Sequence, residues 1–206
     1  MTLGAAPFRR LLPVTALAAA GLIAGCASEP MPADFAARSD AAADQFQSRL
    51  QTELRQALVA GGPIGAVAVC AEAAPVIAAD VSDQSGLDVR RISARPRNPG
   101  AVTDVALGAR LQSLAANPLD DRGRPATIRW SEGDGTTATH FSMRAVVMQD
   151  QPCSACHGSA IAPAVRAAIA ERYPGDRATG YRAGELRGAI LTSSPRRGQN
   201  EDRSLR

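Results

Sequence analysis

Two cysteines stand three residues apart at Cys153 and Cys156, and a histidine, His157, directly follows the second. Two thiols at this spacing can form thioether bonds with the two vinyl groups of one porphyrin, and the adjacent imidazole can then coordinate the iron. The run Cys153-Ser154-Ala155-Cys156-His157 therefore predicts one covalent haem c. Cys153 and Cys156 would attach it, and His157 would be an axial ligand of the iron.

The first 25 residues are typical of a cleaved export signal. Two arginines precede an uncharged apolar run over residues 11–24, which is too short to span a membrane comfortably. The run ends at Cys26 in a Leu-Ile-Ala-Gly-Cys sequence that resembles the lipobox of bacterial lipoproteins, whose cysteine carries a diacylglycerol. We therefore predict lipidation of Cys26, since several acyl chains anchor a protein stably. An ordinary signal peptide with an incidental cysteine is the alternative.

Two other kinds of site could use the same pair of cysteines. A redox-active dithiol would leave His157 unexplained. A zinc site would need further ligands, for which Cys70 and His140 are available. Export favours haem over both, because c-type haem is attached outside the cytoplasm, where the signal sends this chain.

Cys70 is left without a partner among the four cysteines of the sequence. If the other three carry lipid and haem, no thiol remains to form a disulfide with it. Cys70 is then either a small buried hydrophobe in an apolar helix or the second axial ligand of the iron. Its rivals for that ligand position lie in or at the end of a predicted strand close to the motif: Met143, Met148 and His140.

Composition excludes several classes of protein. A chain of 206 residues with 45% hydrophobic and 21% charged residues suits one globular domain rather than a disordered segment. The net charge is only +3, which does not favour nucleic-acid binding, where a basic patch or stripe is expected. We expect no stretch beyond the export signal to be long and apolar enough to span a bilayer.

Helices and short strands must position these residues. Periodicity and breaking residues predict helices over residues 35–60, 63–81 (restarting around Pro75), 103–116 (capped by Thr103) and 162–172. Alternation predicts strands over residues 87–92, 127–131, 139–148 and 186–192, of which the middle two form a hairpin. The predicted fold class is α+β, a small antiparallel sheet surrounded by helices.

The predicted organisation of the chain has four parts. They are a lipoprotein signal peptide over residues 1–25, a tether over 26–44, a haem domain over 45–195 and a polar tail over 196–206.

Several segments, in this order, resemble the haem-binding domain family called DUF3365. The segments are Gly61-Gly62-Pro63 through Val69-Cys70, Ala74-Pro75-Val76-Ile77-Ala78, Arg90-Arg91-Ile92-Ser93, Arg97-Asn98-Pro99, Cys153 through Gly158, Tyr173 through Tyr181, and Gly184 through Ala189. The resemblance covers residues 45–195 and includes the cysteine–histidine motif.

This resemblance implies a PAS-like α+β fold around one covalent haem c. It also implies axial ligation by the motif histidine and a distant cysteine, which map onto His157 and Cys70. The sequence departs from the family in two places. Gly100-Ala101 is less polar than the usual loop, and His140 lies in a strand that more often lacks a histidine, so His140 stays open as a ligand.

Arginines are the expected partners of the two haem propionates, because carboxylates beside a buried macrocycle need cationic partners. The candidates in or near family-like segments are Arg91, Arg144 and Arg187, and a solvated arginine is the alternative for each. Tyr173 and Tyr181 are candidates for the wall of the haem pocket.

A thiolate ligand should lower the reduction potential of the iron, and two strong ligands leave no open position for a substrate. We therefore expect a protein that is not an enzyme. The leading hypothesis is a redox- or ligand-responsive haem protein, in which reduction weakens the bond to Cys70 and a diatomic gas can bind. The alternative is a simple electron-transfer cytochrome acting between exported redox partners.

The two residues after Cys26 predict where the anchored protein resides. Ala27 and Ser28 lack the aspartate associated with retention at the inner membrane. If the source is Gram-negative, we expect the mature protein in the outer-membrane fraction, facing the periplasm, when membranes are separated by density. Recovery in the inner-membrane fraction would contradict this destination.

Overall fold

The computed structural model describes residues 1–2 and 31–195 of the chain. The rest of the predicted signal peptide, Cys26 and the polar tail over residues 196–206 lie outside the described residues. In chain order the elements are α1 Ala33–Ser85, β1 Asp88–Ile92, a 3-10 turn Pro99–Ala101, α2 Val105–Ala116, β2 Thr127–Glu132, a 3-10 turn Gly135–Thr137, β3 Thr139–Val147, α3 Ser154–His157, α4 Pro163–Arg172 and β4 Leu186–Ser193.

The first helix, α1, folds back on itself at Gly62. This glycine has φ 62° and ψ −164°, a conformation that other residues rarely adopt. Arg49 and Asp80 lie 31 positions apart and form an ion pair of 2.8 Å. In a straight helix they would be about 46 Å apart, at 1.5 Å per residue. The two halves of α1 are therefore antiparallel neighbours.

The course of α1 confirms two predictions and corrects one. The break predicted at Gly61-Gly62 is present, but the helix continues through Pro75 without the predicted restart. It begins at Ala33, two residues before the predicted start of the first helix at residue 35. The apolar face of this first part buries Phe35 and Phe46, which packs it on the core.

By length and composition, α1 could cross a membrane, contrary to our expectation that no further stretch would. The turn at Gly62 divides it, however, and both halves contribute side chains to one core. Phe46 of the first half and Ile77 and Val81 of the second belong to the same buried cluster. Both halves therefore pack against one core, although only 28% of the apolar window of α1 is buried.

The sheet confirms the predicted antiparallel architecture. Its four strands have the order β1-β4-β3-β2, and every neighbouring pair is antiparallel. The predicted hairpin is the pair β2 and β3. The strand β4, which comes last of the four in the chain, is central and pairs with both β1 and β3.

Helices cover both faces of this sheet. On one face, α1 packs against Val89 of β1 and Ile190 of β4. On the other, leucines of α2 pack against Met143 of β3 and Leu191 of β4. The strand β4 is buried on both sides for this reason, including its polar residues Arg187 and Thr192.

The start of α2 corrects the predicted cap. Asp104, not Thr103, caps the helix, and its Oδ1 accepts a hydrogen bond of 2.8 Å from the backbone N–H of Leu107. The two residues are adjacent and both are good N-caps, so the sequence does not distinguish them.

The fold-back of α1 predicts different effects of alanine at two adjacent glycines. A Cβ would have open space at either position, but only Gly62 has a positive φ. We expect Gly62→Ala to lower the free energy of unfolding by about 1–3 kcal/mol. Gly61→Ala, the matched control, should be neutral or stabilising by up to about 1 kcal/mol. Denaturant titrations measure both, and equal losses would contradict the turn at Gly62.

Candidate functional site

A cavity of about 200 Å³ lies between α1 and the sheet. Its walls come from α1, β1, the loop after β1, β4 and the histidine of the cysteine–histidine motif. The side chains that give it chemical character are Cys70, Arg91, Arg97, His157, Tyr173 and Arg187. Residues more than 100 positions apart in the sequence therefore meet at one site.

The motif forms a single helical turn, α3. Cys153 precedes it as the N-cap and Cys156 lies within it, three residues later. Positions three apart share a face of an ideal helix, but here Cys153 packs against Met148 and Cys156 against the cluster of Val67. Neither cysteine lines the cavity. Both are free and half-buried, and burial raises the pKa of the Cys156 thiol.

The ring of His157 is held by a backbone carbonyl. Its Nδ1 lies 2.7 Å from the carbonyl oxygen of Ala178 and 3.2 Å from Nε of Arg187. The shorter contact to an acceptor indicates that Nδ1 carries the proton and donates it to Ala178. Nε2 then keeps the lone pair that a metal needs, in the arrangement common among ligating histidines.

The charge state of His157 also suits ligation. Burial, together with the nearby positive charges of Arg187 and Arg97, lowers the pKa of His157 to about 2. The imidazole is therefore neutral at physiological pH, and a neutral ring is the form that binds a metal ion.

A buried ion pair fixes the motif to two other segments. Arg97 and Asp176 are joined by two contacts of 3.1 Å, and their side chains are only 5% and 9% exposed. Nη2 of Arg97 also donates to the carbonyl of Cys156 at 2.6 Å. Oδ1 of Asp176 accepts the N–H of Ala178 at 2.9 Å. The pair therefore joins the loop after β1, the motif and the segment after α4.

Arg187 reaches the site through an irregularity in β4. Val146 pairs with Gly188 but the next residue, Val147, pairs with Leu186, so Arg187 is an extra residue in the strand. Such bulges redirect a side chain. Arg187 is 6% exposed, and burial together with the charges of neighbouring arginines lowers its pKa to about 10.

The cavity wall is cationic. Arg90, Arg91, Arg97 and Arg187 all line it, and none of the described lining residues is a carboxylate. Asp176 balances the charge of Arg97. The remaining positive charges favour an anionic group in or beside the cavity.

Arg144, predicted as a propionate partner, does not line the cavity. Its guanidinium pairs with Asp40 at 3.1 Å and with Asp44, both in the first half of α1. The strand β3 places the side chain of Arg144 against this acidic part of α1. Val146, two residues further along β3, does line the cavity.

Cys70 and His157 line the same cavity. Tyr173 lines it as well, and burial together with the negative charge of a Cys70 thiolate raises the pKa of Tyr173 to about 12. Tyr181, the other tyrosine candidate, is not part of this wall. The guanidinium carbon of Arg95 lies 4.0 Å from the centroid of the Tyr181 ring.

The three rivals of Cys70 lie elsewhere within the described chain. Met143 is fully buried in the cluster beneath α2. Met148 packs with Ala178 and Tyr181. His140 lies beside the ring of Phe35, and its Nδ1 is 2.8 Å from Oγ of Ser131. None of the three lines the cavity that His157 lines.

Sequence reasoning missed the role of Arg97 and Asp176. Both were visible only as members of family-like segments, and 79 positions separate them. An arginine in a proline-rich loop and an aspartate in a Pro-Gly-Asp turn resemble surface residues in the sequence. The burial of the pair depends on the tertiary fold.

The residues that line the cavity have the chemistry that a haem needs. A neutral histidine keeps Nε2 available and a cysteine, Cys70, lines the same cavity, while the free thiols of Cys153 and Cys156 lie outside its lining. Cationic side chains without carboxylates suit the two propionates of a haem.

Comparisons with known proteins give one family match and one similar solved structure. A family model described as Tll0287-like: Tll0287 matches residues 33–195, which includes the helical stretch before residue 45. No curated protein matches. The crystal structure of the cyanobacterial heme-protein Tll0287 is similar at 25% identity over 73% of this chain and 92% of that chain, with a TM-score of 0.46.

The glycine after the motif predicts a local steric effect. A Cβ at Gly158 would lie 2.7 Å from the carbonyl oxygen of Ser154, whereas nothing lies within 4 Å of a Cβ at Gly175. We expect Gly158→Ala to lower the free energy of unfolding by about 1–3 kcal/mol. Gly175→Ala should change it by less than about 0.5 kcal/mol. Denaturant titrations that gave equal values would contradict the close approach at Gly158.

Proposed function

This chain belongs to the Tll0287-like family, the DUF3365 haem-binding family, and from that premise we propose that it is an exported, lipid-anchored cytochrome with one covalent haem c. The haem would lie in a PAS-like domain, with the protein attached to its membrane through Cys26. The haem would supply one-electron redox chemistry at its iron.

The observation that carries this proposal is the shared cavity of His157 and Cys70. Cys153 and Cys156 would form the thioether bonds, His157 would bind the iron through Nε2, and Cys70 would bind it through Sγ. Arg91 and Arg187 lie at the same cavity and would neutralise the propionates.

Ligation by the thiolate of Cys70 would favour a redox- or ligand-responsive role for the protein. A thiolate stabilises the oxidised iron, and reduction weakens its bond. Tyr173 shares the cavity with Cys70, and with a pKa of about 12 its phenol stays protonated at neutral pH. A protonated phenol can donate a hydrogen bond to a released thiolate or to a bound diatomic gas.

The second candidate is a simple electron carrier between exported redox partners. The buried Arg97–Asp176 pair favours it, because a rigidly held motif reorganises little when an electron is transferred. We propose no enzymatic role, since two strong ligands would leave the iron no open position for a substrate.

Electron paramagnetic resonance of the oxidised protein tests the proposed ligands. We expect a low-spin signal of the thiolate type that disappears in Cys70→Ser, because serine cannot supply a thiolate. Met148→Leu and His140→Gln are matched controls and should retain it. An unchanged spectrum in Cys70→Ser would show that Cys70 is not an iron ligand. An ordinary electron carrier would then be the better interpretation.

The reduced forms of the same proteins separate the two roles. A responsive protein should bind carbon monoxide in the ferrous state, with a shift of its Soret band, because Cys70 leaves the iron. A carrier should keep both ligands and show no shift. A ferrous protein that binds no diatomic gas and changes no ligand would rule out the responsive role.

A further inference from the structure

We propose that the Arg97–Asp176 ion pair is a positioning device for His157, which sets the orientation and donor strength of its ring and thereby the reduction potential of the iron. The inference rests on the proposed function, because it concerns how His157 meets a haem iron. Neither Arg97 nor Asp176 would touch the haem. Both would act through Ala178.

The contacts of the pair commit Nε and Nη2 of Arg97 to protein groups. Arg97 donates through Nε and Nη2 to the two carboxylate oxygens of Asp176. Nη2 donates in addition to the carbonyl of Cys156 at 2.6 Å. Arg97 lines the cavity, but its charge is neutralised in place, which distinguishes it from Arg91 and Arg187.

Ala178 connects the pair to His157. Its carbonyl oxygen accepts from Nδ1 of His157 at 2.7 Å and, more weakly, from Nη2 of Arg97 at 3.4 Å, so Arg97 acts on that oxygen directly. Its N–H donates to Oδ1 of Asp176 at 2.9 Å, which holds the peptide unit on the other side of the Ala178 Cα. The ion pair therefore contacts both peptide groups of the residue whose carbonyl orients the His157 ring.

Sharing of this carbonyl has a predictable electronic effect. A ligating histidine becomes a stronger electron donor when its other N–H makes a stronger hydrogen bond. Arg97 draws on the same oxygen and so limits the bond from His157. Loss of Arg97 should strengthen that bond, stabilise oxidised iron and lower the reduction potential.

The charges of the pair also act on the reduction potential, and loss of Arg97 lowers it by this route as well. Without Arg97, the carboxylate of Asp176 stays unneutralised beside the motif and favours the more positive, oxidised iron. Without the charge of Asp176, the guanidinium of Arg97 stays unneutralised and favours the reduced iron. The two single changes should therefore shift the potential in opposite directions. A general loosening of the fold would shift it in the same direction in both.

Redox titration of the haem-loaded protein, followed by its absorption spectrum, tests the inference. We expect a lower midpoint potential in Arg97→Met, a higher one in Asp176→Asn, and a value close to wild type in the double variant, whose pair is neutral. Arg49→Met and Asp80→Asn are matched controls. They break an ion pair of similar length that is 36% and 46% exposed on α1, and should leave the potential unchanged.

The outcomes separate this inference from the function on which it rests. Shifts of the same sign, or no shift, in a haem-loaded protein would overturn the positioning role alone. Mass spectrometry of the wild-type protein reports on the function itself. A wild-type chain without covalent haem would overturn the proposed function and this inference with it.

Conservative variants cover the case in which the single changes prevent folding. Arg97→Lys and Asp176→Glu keep both charges but alter the geometry of the pair. We expect changed g-values in the electron paramagnetic resonance spectrum, because the His157 ring turns with the Ala178 carbonyl. Spectra identical to wild type in both variants would overturn the inference.

Discussion

The buried ion pair of Arg97 and Asp176 joins three segments that are far apart in the sequence. Burying two charges is costly, and here several hydrogen bonds to backbone groups offset the cost. Each partner of such a pair depends on the other, because removal of one leaves a buried charge and typically lowers the free energy of unfolding by about 3–5 kcal/mol. Two further backbone bonds, from Gly180 to Gly158 and from Tyr181 to His157, are each 2.9 Å and depend on the same alignment. The geometry of the motif is thus a property of the tertiary fold.

The cavity combines a neutral imidazole with cationic neighbours, which is an unusual balance for a buried site. Arg187 is 6% exposed, and in the part of the chain that the structure describes it forms no ion pair with a carboxylate. A buried cation is unfavourable unless an anion or hydrogen-bond acceptors approach it. Its hydrogen bond to Oγ of Ser93 satisfies part of this need. Nδ1 of His157, 3.2 Å from Nε of Arg187, donates to Ala178 and so offers no acceptor. The anionic edge of a bound haem would satisfy the rest.

Local features of the sequence predict much of this structure. The spacing of Cys153, Cys156 and His157 is a short-range constraint, and so are the alternation of the strands and the glycine break in α1. Long-range features escape prediction. The face of β3 that carries Arg144 meets the acidic part of α1, an outcome fixed by the register of the whole sheet. The burial of Asp176 depends likewise on a partner 79 positions away.

The central place of β4 has a consequence for how the chain matures. Synthesis delivers β1, β2 and β3 first, yet β1 and β3 share no ladder of their own and are joined only through β4. The sheet therefore cannot close until residues 186–193 are present, a long-range pairing of the kind that folds slowly. Cys153 and Cys156 precede that strand in the chain. In a chain that is exported from its N-terminus, both thiols would therefore emerge before the strand that closes the sheet, and the proposed thioether bonds would form on a domain that is still open.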